Sequence, residues 1–467
     1  VSDLRFDLST AHRSAPAVPY LSAPLEAVMS LMPAHAATTG TVTVRPGRPL
    51  AGTVTVDGSK NAALPLVAAA GALRRPVHLG RVPFSTDVQS MLSLLQQAGW
   101  HVARPAVQEH QVVIVPADNP PSVPELAEAA RIRASYYLVP ALLAVRGVAR
   151  LPWPGGCRIG DRGMDVHFTV YGAFGDRVTV DDLGYRVEMA RPDRGTVSVM
   201  LPFRSRGASI AALLRAAVAQ RPLRLGMPNL SPEVLSVVEA LQLAGWEAHA
   251  SEKLLALVPP SVTAQGPVMW RVPGDKIEAG TLACAVAATG GTARIEGVAA
   301  RAVAPVIGAL GRLGIPAAAE EQALVVRAQD AWPTGRPLRA IASLSPGGLD
   351  ADFEPPLMAL ALSLPGTHLF ADSINPGRHG NLLSQLALLG AEIDEISPTQ
   401  CRLTGPQRLH GAPVSALDIR TGSALLVAGL AARGHTIVGG VDQLRRGHAD
   451  LPGKLRHLGA DICEAGQ

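Results

Sequence analysis

The chain is poor in several features that would narrow its function at once. Four cysteines in 467 residues, at 157, 284, 401 and 463, form no CxxC pair. Neither a zinc site nor a disulfide framework is therefore indicated, and a reducing compartment, the cytoplasm, is expected. Aromatic residues make up only 4%, too few for the stacking platforms that hold single-stranded nucleic acid. Charge of neither sign dominates: 42 Lys and Arg against 38 Asp and Glu leave +4, which supports no extended basic face toward nucleic acid or a membrane. Any anion bound must be met by local arginines. The longest apolar runs, such as AALPLVAAAGAL at 62–73, are broken by Pro, Gly or Arg and fall short of the roughly 18 residues that span a bilayer. No GxGxxG follows a strand-like segment, so dinucleotide binding is unsupported.

What is present is core. Apolar residues reach 48% against 17% charged, and at about 100 to 200 residues per domain the length predicts two to four domains. Residues 1–40 are rich in Ala, Pro and Ser without a sustained period and are expected as an extension outside the fold. Asp3, Asp7 and Glu26 interrupt any apolar stretch that would make them a secretory signal.

A helix-like stretch that closes on glycine and turns into a strand recurs six times, at Gly99, Gly175, Gly245, Gly314, Gly390 and Gly459, with spacings of 76, 70, 69, 76 and 69. Before each lies a second helix, apolar almost all round, which predicts burial inside a domain. These begin near Lys60, Arg133, Gly207, Glu278, Asp352 and Arg420. Their starts carry Lys60 with Asn61, Arg133, Ser205 with Arg206, Asp275 with Glu278, Asp352, and Asp418 with Arg420. A helix start has unpaired N–H groups and a positive dipole end, so several aimed at one cleft would bind an anion. Lys or Arg there opposes the dipole, and a neighbouring acid or a bound anion would compensate; a long basic side chain reaching solvent is the plainer alternative. The six units are expected to divide three and three into residues 59–270 and residues 41–58 with 271–467.

The segments GSKNAALPL (58–66), IRAS (132–135), LPWPGGCRIGDRGMDVH (151–167), VPGDKIEAGT (272–281), DIRTG (418–422) and RRGHADLPGKLRHLGADI (445–462) resemble the enolpyruvyl transferases. Among these they are more similar to the enzymes acting on UDP-N-acetylglucosamine than to those acting on shikimate 3-phosphate. The resemblance implies an α/β fold of two inside-out lobes, each of three βαβαββ repeats, with the active site in the cleft between them. It implies transfer of enolpyruvyl from phosphoenolpyruvate to a hydroxyl with release of phosphate, with no cofactor and no metal. By resemblance Lys60, Arg162 and Arg446 would contact the phosphate, with Asn61 beside them, and Arg420 with Arg378 the carboxylate. His379 could take the Arg378 slot. Cys157 would be the acid that protonates C3 and can add covalently. Its two preceding glycines give the loop mobility, and Arg158 and Arg162 would lower its thiol pKa. The other three cysteines read as small buried apolar residues. Asp352 aligns with the acid that touches the acceptor hydroxyl, Asp350 being an alternative, and either could simply cap the helix that follows.

Acceptor-facing positions depart from the cell-wall enzymes. Arg133 and Asp165 are in place, and Ile374 falls at a nucleotide-contacting position. Arg162, however, is followed by Gly163 and Met164 rather than by Pro, and the Lys-Val-Ser-Val-Gly stretch appears as Phe203, Arg204, Ser205, Arg206 and Gly207. Arg-Glu-Pro-Glu has become Leu230, Ser231, Pro232 and Glu233. One lost Lys and two gained arginines point to an anion in a different place, such as a terminal monophosphate. The expected partners are phosphoenolpyruvate and a uridine nucleotide. The favoured acceptor is the 3′-hydroxyl of UMP, as in relatives resembling those of nucleoside-antibiotic pathways, and the alternative is UDP-N-acetylglucosamine in peptidoglycan synthesis. A non-catalytic nucleotide-binding relative is argued against by Lys60, Cys157, Asp352, Arg420 and Arg446 occurring together.

Overall fold

The repeat is a strand, a buried helix, a strand, an outer helix and a final pair of strands. It is seen in a computed structural model that describes residues 40–104, 110–117, 127–156, 163–190, 193–262 and 266–465. The expectation for residues 1–40 therefore lies, apart from Gly40, outside the described residues. The six buried helices are α1 (Lys60–Leu73), α2 (Leu138–Arg146), α3 (Arg206–Ala219), α4 (Lys276–Ala288), α5 (Glu354–Ala361) and α6 (Ile419–Ala431). In α1 every residue from Lys60 to Ala72 except Asn61 is buried, as its lack of a polar stripe requires.

Two of the six begin later than the apolar pattern suggests. Arg133–Tyr137 and Ala351–Phe353 form 3₁₀ turns ahead of α2 and α5. Pro140, and Pro355 with Pro356, account for this: proline lacks an N–H and fits best in the first helical turn, so the α-helix starts just before it, although α1 accommodates Pro65 in its interior. All six glycines that close the outer helices lie at positive φ, between +82° and +107°. They are left-handed residues that turn a helix end into a strand, a conformation L side chains resist.

In five of the six sheets the strand after the buried helix pairs parallel with an edge strand and antiparallel with the first of two further strands; the sheet of Val148–Pro152 lacks the parallel partner. Two edge strands are borrowed. Val268–Arg271, at the end of the third unit, pairs with Val77–Gly80 of the first, and Ala51–Thr55 pairs with Thr292–Glu296 of the fourth. Val42–Arg45 lies between Thr436–Gly439 and Asp461–Glu464. The result is two hydrophobic cores, one drawn from Ala62 to Val272, the other from Val42–Val56 and Ile277–Ile462. Burial of this much apolar surface is the main term holding each lobe.

The chain crosses between cores twice, and the crossings are bonded to each other. Gly58 bridges Gly274, the Ser59 N–H donates to Pro273 O at 2.7 Å, and the Asp275 N–H donates to Asp57 O at 2.9 Å. A Cβ on Gly58 would meet Arg81 O at 1.9 Å, and one on Gly274 would meet Gly297 O at 1.8 Å, so only glycine fits this double crossing. Among the described residues no helix is long and apolar enough to cross a membrane.

Candidate active site

The crossings bring helix starts from both lobes to the rim of one cleft of about 470 Å³. Lys60 and Asn61 come from α1, Arg133 from the turn before α2, and Ser205, Arg206 and Gly207 from the start of α3; Asp350 and Asp352 precede α5, and Asp418 and Arg420 open α6. Arg378 and Arg446 join Lys60, Arg133, Arg206 and Arg420, so that among the described residues the lining cations number six against the four acids Asp87, Asp350, Asp352 and Asp418. Such an excess suits a polyanionic ligand.

The second-lobe wall is centred on Asp352. Its two oxygens each accept from a different guanidinium, Arg378 Nη2 at 2.8 Å and Arg420 Nη2 at 2.9 Å. Burial alone would raise this carboxyl's pKa, but Arg420 and then Arg378 hold it well below the usual carboxylate range. Arg378 also donates to Ala351 O at 2.7 Å, and Arg420 Nη1 lies 3.0 Å from His448 Nε2. Asp418 caps α6, accepting from the Arg420 and Thr421 N–H groups at 2.9 and 3.0 Å. Asp350, rather than Asp352, is the capping acid here, and it caps the 3₁₀ turn Ala351–Phe353 ahead of α5: its Oδ1 accepts from the Asp352 N–H at 3.1 Å.

Two charge networks tie the lobes together across the cleft. Asp87 accepts from Lys60 Nζ at 3.3 Å and from Arg446 Nε at 2.9 Å. Asp350 Oδ2 meets Arg206 Nη2 at 2.8 Å and Lys276 Nζ at 2.9 Å, while Glu233 Oε1 sits 3.1 Å from Lys276 Nζ. Burial would raise the Asp350 pKa, but Lys276 and Arg206 hold it far below the normal range.

The first-lobe wall is less saturated. His167 is 6% exposed, and neither ring nitrogen has a hydrogen-bond partner among the described residues. Burial and the Arg133 charge push its pKa down to about 4, against a small opposing pull from the Met164 carbonyl, so the ring is neutral at pH 7. It packs 4.6 Å from the Tyr136 ring beneath Gly207, where a Cβ would meet His167 Nε2 at 2.5 Å. Phe203 is 49% exposed at the cleft.

Of the residues singled out from sequence, Lys60, Asn61, Arg133, Gly163, Ser205, Arg206, Gly207, Asp352, Ile374, Arg378, Arg420 and Arg446 line this cleft. Arg204 does not. Its guanidinium donates to Pro228 O at 3.0 Å and Glu252 O at 2.7 Å, pinning neighbouring loops and leaving Arg206 as the gained arginine that faces the cleft. Asp165 is likewise absent from the lining, exposed at the start of helix Asp165–Ala173 beside Gly163. His379 is buried on Glu354 at 2.8 Å, while Arg378 takes the cleft position. Cys157 and Arg162 lie outside the described residues. Cys284 and Cys401 are buried, burial raising both thiol pKa values and Cys401 to about 12. Cys463, expected to be buried, is exposed on strand Asp461–Glu464, whose alternation turns it away from the core. Asp87, Tyr136, Lys276 and the pairing role of Glu233 were missed, because acids and lysines met across a lobe interface leave no local spacing to read.

A family model described as EPSP synthase (3-phosphoshikimate 1-carboxyvinyltransferase) matches residues 44–455. The chain is 33% identical over 426 residues to UDP-N-acetylglucosamine 1-carboxyvinyltransferase 1 of Halalkalibacterium halodurans, covering 90% of this chain and 93% of that one. It is 32% identical over 422 residues to the UDP-N-acetylglucosamine 1-carboxyvinyltransferase of Thermobifida fusca, covering 90% and 97%. In fold it matches the crystal structure of the enolpyruvyl transferase NikO from Streptomyces tendae with a TM-score of 0.79 at 24% identity, over 91% of this chain and 99% of that one. EPSP synthase from Acinetobacter baumannii matches with a TM-score of 0.69 at 17% identity, over 91% and 99%.

Proposed function

The chain belongs to the EPSP synthase family of enolpyruvyl transferases, and from that premise we propose that it moves enolpyruvyl from phosphoenolpyruvate to the 3′-hydroxyl of UMP. Phosphoenolpyruvate would lie with its phosphate on Lys60, Arg446 and Arg162 and its carboxylate on Arg378 and Arg420, whose planar forks suit oxyanions. The acceptor oxygen attacks C2 as Cys157 gives a proton to C3, forming a tetrahedral ketal. Loss of a C3 proton with cleavage of the C2–O bond to phosphorus then releases phosphate and restores the double bond.

Asp352 is the group placed to take the acceptor's proton, yet with both oxygens on guanidiniums it is a weak base. A substrate carboxylate on Arg378 and Arg420 would draw those cations off it, so that its basicity rises when phosphoenolpyruvate is in place. Substrate would thus arm the base.

The acceptor reading is carried by one observation: Arg206, at the start of α3, reaches the cleft where the cell-wall enzymes carry Val. A cation at a helix start, with Ser205 capping Ala208 N–H at 3.3 Å, suits a terminal phosphate dianion. The second reading, transfer to UDP-N-acetylglucosamine, is favoured by the 32–33% identity to enzymes of that name. The deciding experiment follows phosphate release from phosphoenolpyruvate with UMP or with UDP-N-acetylglucosamine, with mass detection of the product. Release with UMP and not with the sugar nucleotide is expected; the reverse removes UMP as the acceptor. An epoxide mimic of phosphoenolpyruvate should label the wild type at Cys157 and leave Cys157→Ala unlabelled.

A further inference from the structure

A second cavity, of about 900 Å³, opens beside the crossing strands and shares no lining residue with the cleft. Its walls come from both lobes: Ser59, Arg81 and Arg271 on one side of the crossings, Gly274, Gly297 and Arg301 on the other. Lys276 and Glu233 also border it, but they are committed to each other and to Asp350 and Arg206. That leaves three guanidiniums against Glu239, which is exposed at the rim.

None of the three is in a salt bridge among the described residues. Arg81 donates to the Val56 carbonyl at 2.7 Å, and its pKa is lowered first by burial and next by the like charge of Arg271, against the opposing charges of Asp57, Glu278 and Asp275. Arg271 and Arg301 are exposed and have no ion pair among the described residues. Arg301 sits in the first turn of helix Ala300–Arg312, which has no side-chain cap and no acid there, so its charge opposes the helix dipole. Two arginines that repel each other, and a third at a helix start on the same cavity wall, are relieved by an anion with more than one charge.

We propose that this cavity is a binding site for a small polyanion carrying two linked phosphates, held by Arg81 and Arg271 from the first lobe and Arg301 from the second. Because its walls straddle the crossings, an occupant ties the lobes at one opening angle, and by linkage substrates that close the cleft and the anion at the hinge alter each other's affinity. The proposal does not depend on which acceptor the enzyme uses.

Calorimetric titration of the full chain with inorganic pyrophosphate tests it. Pyrophosphate would also meet the cations lining the cleft, so the readout is the difference between chains. Arg271→Ala/Arg301→Ala should bind one pyrophosphate fewer than wild type, or bind it about tenfold or more weakly at that site, the loss expected for two charged hydrogen-bond donors. Both side chains are exposed, so melting should move little, and Arg271→Lys/Arg301→Lys should keep the stoichiometry. Stoichiometry and affinity unchanged in the alanine pair, or lost equally in the lysine pair, overturn the site.

Discussion

The two walls of the cleft are built on different principles. The second-lobe wall is a closed circuit in which Asp352, Arg378 and Arg420 satisfy one another and Asp418 fixes the start of α6. Every group is held by at least one other, and Asp352 is ionised far below neutrality. The first-lobe wall carries a neutral histidine with no hydrogen-bond partner among the described residues, a half-exposed Phe203, and an arginine shared between Asp350 of the other lobe at 2.8 Å and Glu233 at 3.7 Å. A saturated network is costly to alter, because removing one member strands the rest. On the proposed reading, the substrate carboxylate and the acceptor's proton belong with the wall that cannot change, and acceptor choice with the wall that can.

The contrast is tested most severely at its most saturated point. Asp352→Asn should slow phosphate release by about 10²- to 10⁴-fold, the range for losing a general base. It should also lower stability by about 3 kcal/mol, since in a largely buried setting Arg420 loses its ion-pair partner and Arg378 keeps only Asp372, at 3.5 Å. Steady-state phosphate release and urea unfolding check both, and an Asn variant retaining more than a tenth of wild-type turnover would remove Asp352 from proton transfer.

Arg206→Val tests the other wall. A charge-assisted contact is worth about 1.5–3 kcal/mol, so KM for UMP should rise about 10- to 100-fold while KM for phosphoenolpyruvate holds. Arg204→Ala is the companion: its guanidinium grips the Pro228 and Glu252 carbonyls, so it should affect melting more than KM. A KM for UMP unchanged in Arg206→Val, or raised as much in Arg204→Ala, would remove Arg206 as the residue that sets the acceptor.

Gly207→Ala is expected to have a smaller effect. The added methyl would press on His167 and on the Tyr136 hydroxyl, 2.8 Å from the built Cβ, and overpacking of this kind costs about 1–3 kcal/mol. His167→Ala in the same chain should return part of that loss in a double-mutant cycle. Strict additivity would show that the ring does not fill the space under α3.

The same contrast explains what could be read from the sequence. Most of the saturated wall was legible because Asp418, Arg420 and Asp352 sit at the starts of apolar helices and stand out from their neighbours; Arg378 opens the amphipathic helix Arg378–Leu388 and was reached only through the resemblance. The closing glycines were legible for a similar reason: the left-handed turn after each outer helix demands one residue type. Asp87 was not, because its partners Lys60 and Arg446 lie 27 and 359 residues away. Arg204 misled because alternation within a loop does not say which of two neighbouring arginines turns inward, and only the carbonyls of Pro228 and Glu252 decide it. Cys463 misled because a short strand turns one face to solvent, which composition alone does not reveal.

The two walls should also fail in different pH windows. His167 has a folded pKa of about 4 against roughly 6.5 when unfolded. The folded state therefore takes up its proton less readily, and the stability this neutral ring contributes is complete above about pH 6.5. It is lost as pH falls toward 4, with a slope of up to about 1.4 kcal/mol per pH unit. Asp352 and Asp350 are depressed acids, whose contribution is present above roughly pH 4 and is lost only at lower pH. Glu278, pushed up to about 7 chiefly by burial against the pull of Lys454, works in the opposite sense, losing stability as pH rises from about 4.5 to 7. Its contribution cancels when wild type is compared with His167→Gln. Urea midpoints from pH 7 to 4.5 should therefore fall more steeply in the wild type than in the variant, and the difference should stop growing below pH 4, where the second wall takes over. Parallel curves would mean that His167 titrates normally, and that the first-lobe wall is as well satisfied as the second.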